Sequence, residues 1–253
     1  MTIPGSSGVS SSDARPLAGR VALVTGGGRG IGRACVLALA AAGAAVAPVA
    51  RSEDELARVM DEARALGARV PEAPLVCDVR DPAGVTAVVA EVARQLGPVD
   101  ILVPAAGSAR FKPVELLTLD DWQEQLATNL SGAFYAIRAV LPGMRQLKRG
   151  HIVTLGSVAS IKEFPGCAAY GAAKFGLLGL TRVVREEVRR EGIRVTILLP
   201  GATATAIWGA SLPAEEERLM RPESIAACLM TALTADPRAL VEEIVLRPQE
   251  GDL

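Results

Sequence analysis

A single histidine and a 3% share of aromatic residues are the two scarcities that narrow this 253-residue sequence most. One imidazole cannot build a histidine-rich metal site. His151 also opens the apolar run Ile152-Val153, which marks it as a strand-end residue. So few aromatic rings leave no platform for stacking nucleic-acid bases. A net charge of −1 offers no excess of either sign to hold nucleic acid or an anionic membrane. The four cysteines, Cys35, Cys77, Cys167 and Cys228, are scattered without a Cys-x-x-Cys pair and read as free thiols. No metal is expected. Residues 1–12, rich in Ser and Gly, lack the basic start and apolar core of a targeting signal. No apolar stretch is long enough, without polar breaks, to span a bilayer. The expectation is a cytoplasmic protein with neither a membrane nor a nucleic-acid partner.

What is present is ample apolar material, 50% of the chain against 22% charged, enough for a sizeable core. It falls into short β-branched runs at Val21–Thr25, Ala45–Val49, Pro74–Cys77, Ile101–Val103, Ile152–Leu155, Val195–Leu199 and Val241–Leu246. These runs lack polar alternation, as strands covered on both faces do. Between them lie helical segments at Ile31–Ala42, Ser52–Leu66, Pro82–Leu96, Leu119–Arg145, Ala169–Glu191 and Pro222–Ala235. Gly43, Gly67, Gly97 and Gly192 stand where left-handed C-terminal caps belong. Ser131-Gly132 interrupts the longest helical segment and predicts either a bend there or two abutting helices. The alternation predicts an α/β fold, a single-domain Rossmann-type doubly wound parallel sheet with helices on both faces. Residues 1–16 read as a flexible tail. Residues 17–253 read as one domain, with a ligand-covering lid around 202–221.

Thr25-Gly26-Gly27-Gly28-Arg29-Gly30-Ile31-Gly32 directly follows the first strand and opens a helix. Glycines let a backbone approach a pyrophosphate closely, and the helix N-terminus supplies oriented N–H donors. The second strand ends at Ala50-Arg51-Ser52 with no carboxylate at its tip to hold a ribose 2′-hydroxyl. Arg29 and Arg51 could clamp a 2′-phosphate instead, which favours NADP(H) over NAD(H); the plain alternative is two solvated surface charges. Asp78, at the end of the third strand, is placed either to accept from an adenine amino group or to serve as a turn residue.

Tyr170 and Lys174, four residues apart on one helix, share a face. The chain has only two tyrosines and four lysines. A phenol ionises near pH ~10 unless a close cation lowers that value, which would make it a usable acid or base.

Taken together these residues resemble the classical short-chain dehydrogenase/reductase family, over roughly Leu17 to Arg247. Thr25-Gly26 through Gly32 matches its TGxxxGxG signature, and Asp78-Val79 its adenine contact. Asn129 and Ser157 match its catalytic asparagine and serine, and Tyr170 with Lys174 its YxxxK pair. Pro200-Gly201 with Thr205 resembles the loop that contacts the nicotinamide carboxamide. The chain departs from the family at Pro104-Ala105-Ala106-Gly107, where Asn-Asn-Ala-Gly is usual, so Ala105, Ala106 and Gly107 stand beside the cofactor without those amides. Leu246-Arg247-Pro248 likewise departs from the fatty-acid-synthesis reductases.

The resemblance implies an oxidoreductase interconverting a carbonyl and a secondary alcohol, with Tyr170 as acid or base and Ser157 on the reacting oxygen. Lys174 would lower the tyrosine pKa and bind the nicotinamide ribose, and Asn129 would hold a water leading to Lys174. By position in the family, Phe164, Cys167, Ile207, Trp208 and Leu212 face the substrate; all are apolar, which suggests an uncharged carbonyl or alcohol. Ala172, Gly176 and Gly179 suggest close helix packing in a homotetramer or homodimer. The alternative of another class is a nucleotide-sensing or regulatory protein that kept the fold and has little turnover.

Overall fold

The structure, a computed structural model, describes residues 15–211 and 216–251. Seven parallel strands form one sheet in the order β3-β2-β1-β4-β5-β6-β7. They are β1 (Val21–Thr25), β2 (Ala45–Ala50), β3 (Leu75–Val76), β4 (Ile101–Pro104), β5 (Gly150–Leu155), β6 (Ile193–Pro200) and β7 (Glu243–Leu246). The helices are α1 (Gly30–Ala41), α2 (Glu53–Ala65), α3 (Pro82–Gln95), α4 (Leu119–Leu126), α5 (Gly132–Leu147), α6 (Ala168–Val188) and α7 (Pro222–Thr234).

The unbroken apolar runs become strands because helices cover both faces of the sheet. One core joins Val36 and Leu39 of α1, Val59 of α2, and Ile225 and Leu229 of α7 to the sheet. The other joins Val92 of α3, Ile137 and Met144 of α5, and Val184 and Val188 of α6. Helix starts follow local chemistry. Ser52 caps α2, accepting from the Glu55 amide at 3.4 Å, and Glu53, Asp54 and Glu55 fill that helix's positive first turn. Asp81 caps α3 ahead of Pro82. Gly43, Gly67, Gly97 and Gly192 all have positive φ at the helix ends, as expected.

Several local expectations change. The third strand shrinks from Pro74–Cys77 to Leu75–Val76, and the seventh begins at Glu243 rather than Val241. At Ser131-Gly132 it is the abutting helices, not the bend, that form: α4 runs through a π-helical turn, Ala127–Ser131, directly into α5, with helical dihedrals at both junctions. Residues 1–14 of the expected tail lie outside the described residues, as does Leu212 of the lid. Arg15, assigned to the tail, lies against Gly43 and Gly67, and the Leu17 amide donates to Ala42 at 2.9 Å.

β1 has β2 on one side and β4 on the other, so strand order reverses between β1 and β4. Open α/β sheets place their ligand crevice at the carboxyl ends of such strands. Thr25 and Pro104 are paired at that end.

Candidate active site

Beyond Thr25 the chain turns through Gly26 at φ 68°. A Cβ on Gly26 would stand 2.7 Å from both Cα and N of Ala106, and one on Gly32 would run into the carbonyl oxygen of Gly26. The turn is therefore pressed flat against the end of β4 and against the first turn of α1, an approach only glycine permits. Thr25 is buried beneath it. Its backbone oxygen accepts from the Ala105 amide at 3.1 Å and its Oγ1 from the Ala106 amide at 3.4 Å. The segment lacking the expected asparagines is held in this way.

A cleft of about 310 Å³ opens above this turn. Gly26, Arg29, Gly30, Ile31, Gly32, Arg51, Ser52, Asp78 and Val79 line it, with Ala105, Ala106, Gly107, Tyr170, Lys174 and Thr205. Of the expected cofactor residues, Thr25 lies underneath as a brace, while Pro200 and Gly201 line a different cavity.

Two charged residues at the rim already have partners. Arg29 Nη1 lies 3.6 Å from Glu55 Oε1, and Glu55 also lines the cleft. The Asp78 carboxylate accepts from the Arg80 guanidinium at 2.6 Å and from the Arg80 amide at 3.0 Å. Those hydrogen bonds, with the field of Arg51 added, hold Asp78 below the usual carboxylate range. Sequence reading missed both Glu55 and Arg80. Glu55 stands in the first turn of α2, three residues past the Ser52 cap, and Arg80 only acquires meaning once β3 ends at Val76.

Ser157 follows β5 and caps the short turn Val158–Ser160, its Oγ accepting from the Ala159 amide at 3.1 Å. Its side chain also hydrogen-bonds Tyr170. Lys174 is buried. Its Nζ donates to the Leu155 carbonyl at 2.7 Å and sits 5.6 Å from the centroid of the Tyr170 ring.

The expected fall in the phenol pKa is not what this site produces. Burial pushes Tyr170 up to about 12, opposed by the Ser157 hydrogen bond rather than by Lys174. The same burial pulls Lys174 down to about 8. Desolvation disfavours whichever form is charged, so it moves the two groups in opposite directions.

Asn129 lines neither cavity. It is buried in the π turn, where its Nδ2 donates to the backbone oxygens of Ser108 at 2.8 Å and Gln125 at 2.9 Å. Its Oδ1 accepts from the Ser108 amide at 3.3 Å. Its amide is committed to the loop that follows Gly107. π turns recur at functional sites because they turn one residue out of register.

A second cavity of about 450 Å³ adjoins the cleft, and Tyr170 and Thr205 line both. The expected Ser157, Phe164, Cys167, Ile207 and Trp208 line it too. The indole Nε1 of Trp208 donates to the Thr203 carbonyl at 2.8 Å, which fixes the ring. Phe111 is the one aromatic lining residue that sequence reading missed. It stacks on Trp208 with centroids 5.5 Å apart and meets Tyr170 edge-on at 6.3 Å. An aromatic residue so close to β4 in an aromatic-poor chain was the available signal. The neighbouring charges are spoken for: Lys112 pairs with Asp121 at 2.6 Å, and Arg110 with Glu124 at 3.3 Å. Gly176, expected at a subunit contact, packs against Leu130 of its own chain, where a Cβ would lie 2.9 Å from Cδ2. Among the described residues the cysteines are free, no group of side chains could hold a metal ion, and no helix is long and apolar enough to cross a membrane.

A reversed parallel sheet with a glycine cradle at its switch point, a tyrosine–lysine pair and an adjoining apolar cavity defines a dinucleotide-dependent oxidoreductase. The short chain dehydrogenase profile matches residues 20–216. The chain belongs to that family and is an NAD(P)-dependent enzyme acting between CH–OH and C=O. Among relatives, it is 35% identical over 240 residues to a sepiapterin reductase of Chlorobaculum tepidum, covering 92% of this chain and 98% of that one. It is 35% identical over 246 residues to a glycine betaine reductase of Emericella nidulans, covering 93% of this chain but only 19% of that much longer protein. A metagenomic short-chain oxidoreductase solved with NADP superposes with a TM-score of 0.81 at 31% identity, covering 92% and 99% of the two chains. An alcohol dehydrogenase of Thermococcus sibiricus, solved with 5-hydroxy-NADP, gives 0.85 at 29% identity, covering 92% and 98%.

Proposed function

We propose that this protein is an NADP(H)-dependent reductase of uncharged carbonyl compounds, working reversibly on the matching secondary alcohols, with Tyr170 as the proton donor and acceptor. One observation carries the reading. Tyr170 lies where the cleft and the apolar cavity meet, hydrogen-bonded to Ser157 and backed by Lys174.

The cradle fits a dinucleotide: side chains are excluded at Gly26 and Gly32, and the N-terminus of α1 faces the cleft. When bound, the nicotinamide supplies the hydride. Tyr170 then gives its proton to the carbonyl oxygen, and Ser157 holds that oxygen while charge gathers on it. Lys174, raised toward the ring from the Leu155 carbonyl, supports the phenolate that results. Asn129 acts from below, fixing Gly107–Ser108 at the floor of the cleft.

The preference for NADP(H) rests on Arg51 and Arg29 at the rim and on the two NADP-containing structural relatives. A 2′-phosphate would compete with Glu55 for Arg29. The cavity wall is apolar, which supports an uncharged substrate. A homodimer or homotetramer is supported by Phe134 on α5 and by Phe175 and Val183 on α6, all exposed at 43%, 44% and 57%. Gly179 adds an open position where a Cβ meets no atom within 4 Å. Light scattering at micromolar concentration reads the assembly, and a monomer would contradict it.

The test of the reaction is NADPH oxidation with a panel of ketones. Tyr170→Phe should lower kcat/KM by about 100-fold or more while NADPH binding is kept. Binding without turnover in both forms would point to a nucleotide sensor instead.

A further inference from the structure

Four of the eight aromatic residues in the chain, Phe111, Phe164, Tyr170 and Trp208, line the one 450 Å³ cavity. They come from four separate segments: the loop after β4, the loop before α6, α6 itself, and the segment after β6. No local pattern requires this, since isolated aromatics would be buried as well in the sheet core, which is built from aliphatic side chains. Phe111 is the link. Its plane lies 27° from that of Trp208, and it meets the Tyr170 ring at 65°. The result is an aromatic wall of Tyr170, Phe111 and Trp208 that begins at the reactive phenol, with Phe164 also lining the cavity. No Asp, Glu, Lys, Arg or His lines the cavity among the described residues, so nothing there would neutralise a charged substrate. The volume lies within the roughly 300–1,000 Å³ of ordinary small-molecule sites.

On the reading that this is a carbonyl reductase, we infer that its substrates are flat ring ketones, in which the carbonyl is attached to or contained in a conjugated ring that packs on Phe111 and Trp208. The carbonyl carbon accepts the hydride of the reduced nicotinamide, and its oxygen accepts the proton of Tyr170. C=O becomes CH–OH, and the reduced cofactor becomes the oxidised one. The aromatic wall sets the ring plane, and the ring plane sets which face of the carbonyl meets the hydride. Offset-stacked and edge-on contacts favour an aromatic partner beyond the area it buries.

Three ketones of equal carbon number separate ring chemistry from size: 1-phenylethanone, cyclohexyl methyl ketone and 2-octanone. With saturating NADPH, kcat/KM for the phenyl ketone should exceed that for the cyclohexyl ketone by about threefold or more, and that for 2-octanone by about tenfold. Trp208→Leu and Phe111→Leu, shown folded by circular dichroism, should each narrow these ratios toward one. Equal rates, or a preference for the open chain, would overturn the inference and leave the reductase reading standing. If none of the three is reduced, tryptophan fluorescence of the NADP-saturated protein reads their binding. Ring-selective binding without turnover would overturn the reductase reading but keep the ring recognition, whereas unselective binding would overturn both.

Discussion

Lys174 places its ammonium 2.7 Å from the carbonyl oxygen of Leu155, tying the second turn of α6 to the end of β5. The same contact fixes the amine beneath the Tyr170 ring, in surroundings dry enough to pull its pKa to about 8. A depressed amine pKa means that the charge is present below that value and lost above it.

The rate of ketone reduction should therefore stay level from pH 6 to about 8 and fall above it, as Lys174 loses the charge that supports the phenolate. Tyr170, pushed up to about 12, stays protonated across this range and adds no inflection of its own. A pH profile of kcat/KM with NADPH checks this, and a flat profile between pH 7 and 9 would remove Lys174 from the role.

His151 gives a separate, structural pH dependence. It is buried in β5, with Nε2 2.8 Å from Thr196 Oγ1, and burial pulls its pKa to about 3 from 6.5. The folded state thus binds fewer protons than the unfolded chain between those values. Its contribution is present above about pH 6.5 and is lost as pH falls toward 3, at roughly 1.4 kcal/mol per pH unit. Urea unfolding at pH 7, 6 and 5 should show stability falling more steeply from 6 to 5 than from 7 to 6, and His151→Gln should flatten the fall by about one proton.

Glu55 should restrain the cofactor preference. Its carboxylate holds Arg29 in the absence of any 2′-phosphate, so Glu55→Gln frees the guanidinium and should tighten NADPH about 2- to 10-fold with NADH little changed. Arg51→Ala should act in the opposite direction. Fluorescence titration of both cofactors decides it. Equal affinity for NADPH and NADH in the parent would refute the NADP(H) assignment itself, whereas an unchanged ratio in Glu55→Gln would refute only the part given to Glu55.

The sheet and its switch point were legible because strand-forming runs and end glycines are local signals, and the TGxxxGxG turn announces a close backbone approach that a Cβ would forbid at Gly26 and Gly32. Tyr170 and Lys174 were legible because their types and spacing are rare in so lysine- and tyrosine-poor a chain, whereas Ser157 was read only through the family resemblance. What escaped depends on distant partners. Nothing near Arg29 in sequence shows Glu55 across from it, and nothing near Asp78 shows how fully Arg80 would occupy it. Phe111 meets Trp208 across 97 positions, a pairing that no period reveals. The direction of the Tyr170 shift was misjudged because burial, which the sequence does not display, outweighs the one hydrogen bond, from Ser157, that opposes it.

The π turn at Ala127–Ser131 carries one residue more than a regular coil needs. Were that turn to tighten into a regular coil with the residue kept, everything downstream would swing round by about 100°. Ile137, Val140 and Met144 would leave the β-sheet for the solvent, so the irregularity that seats Asn129 is also what keys the whole of α5 to its place.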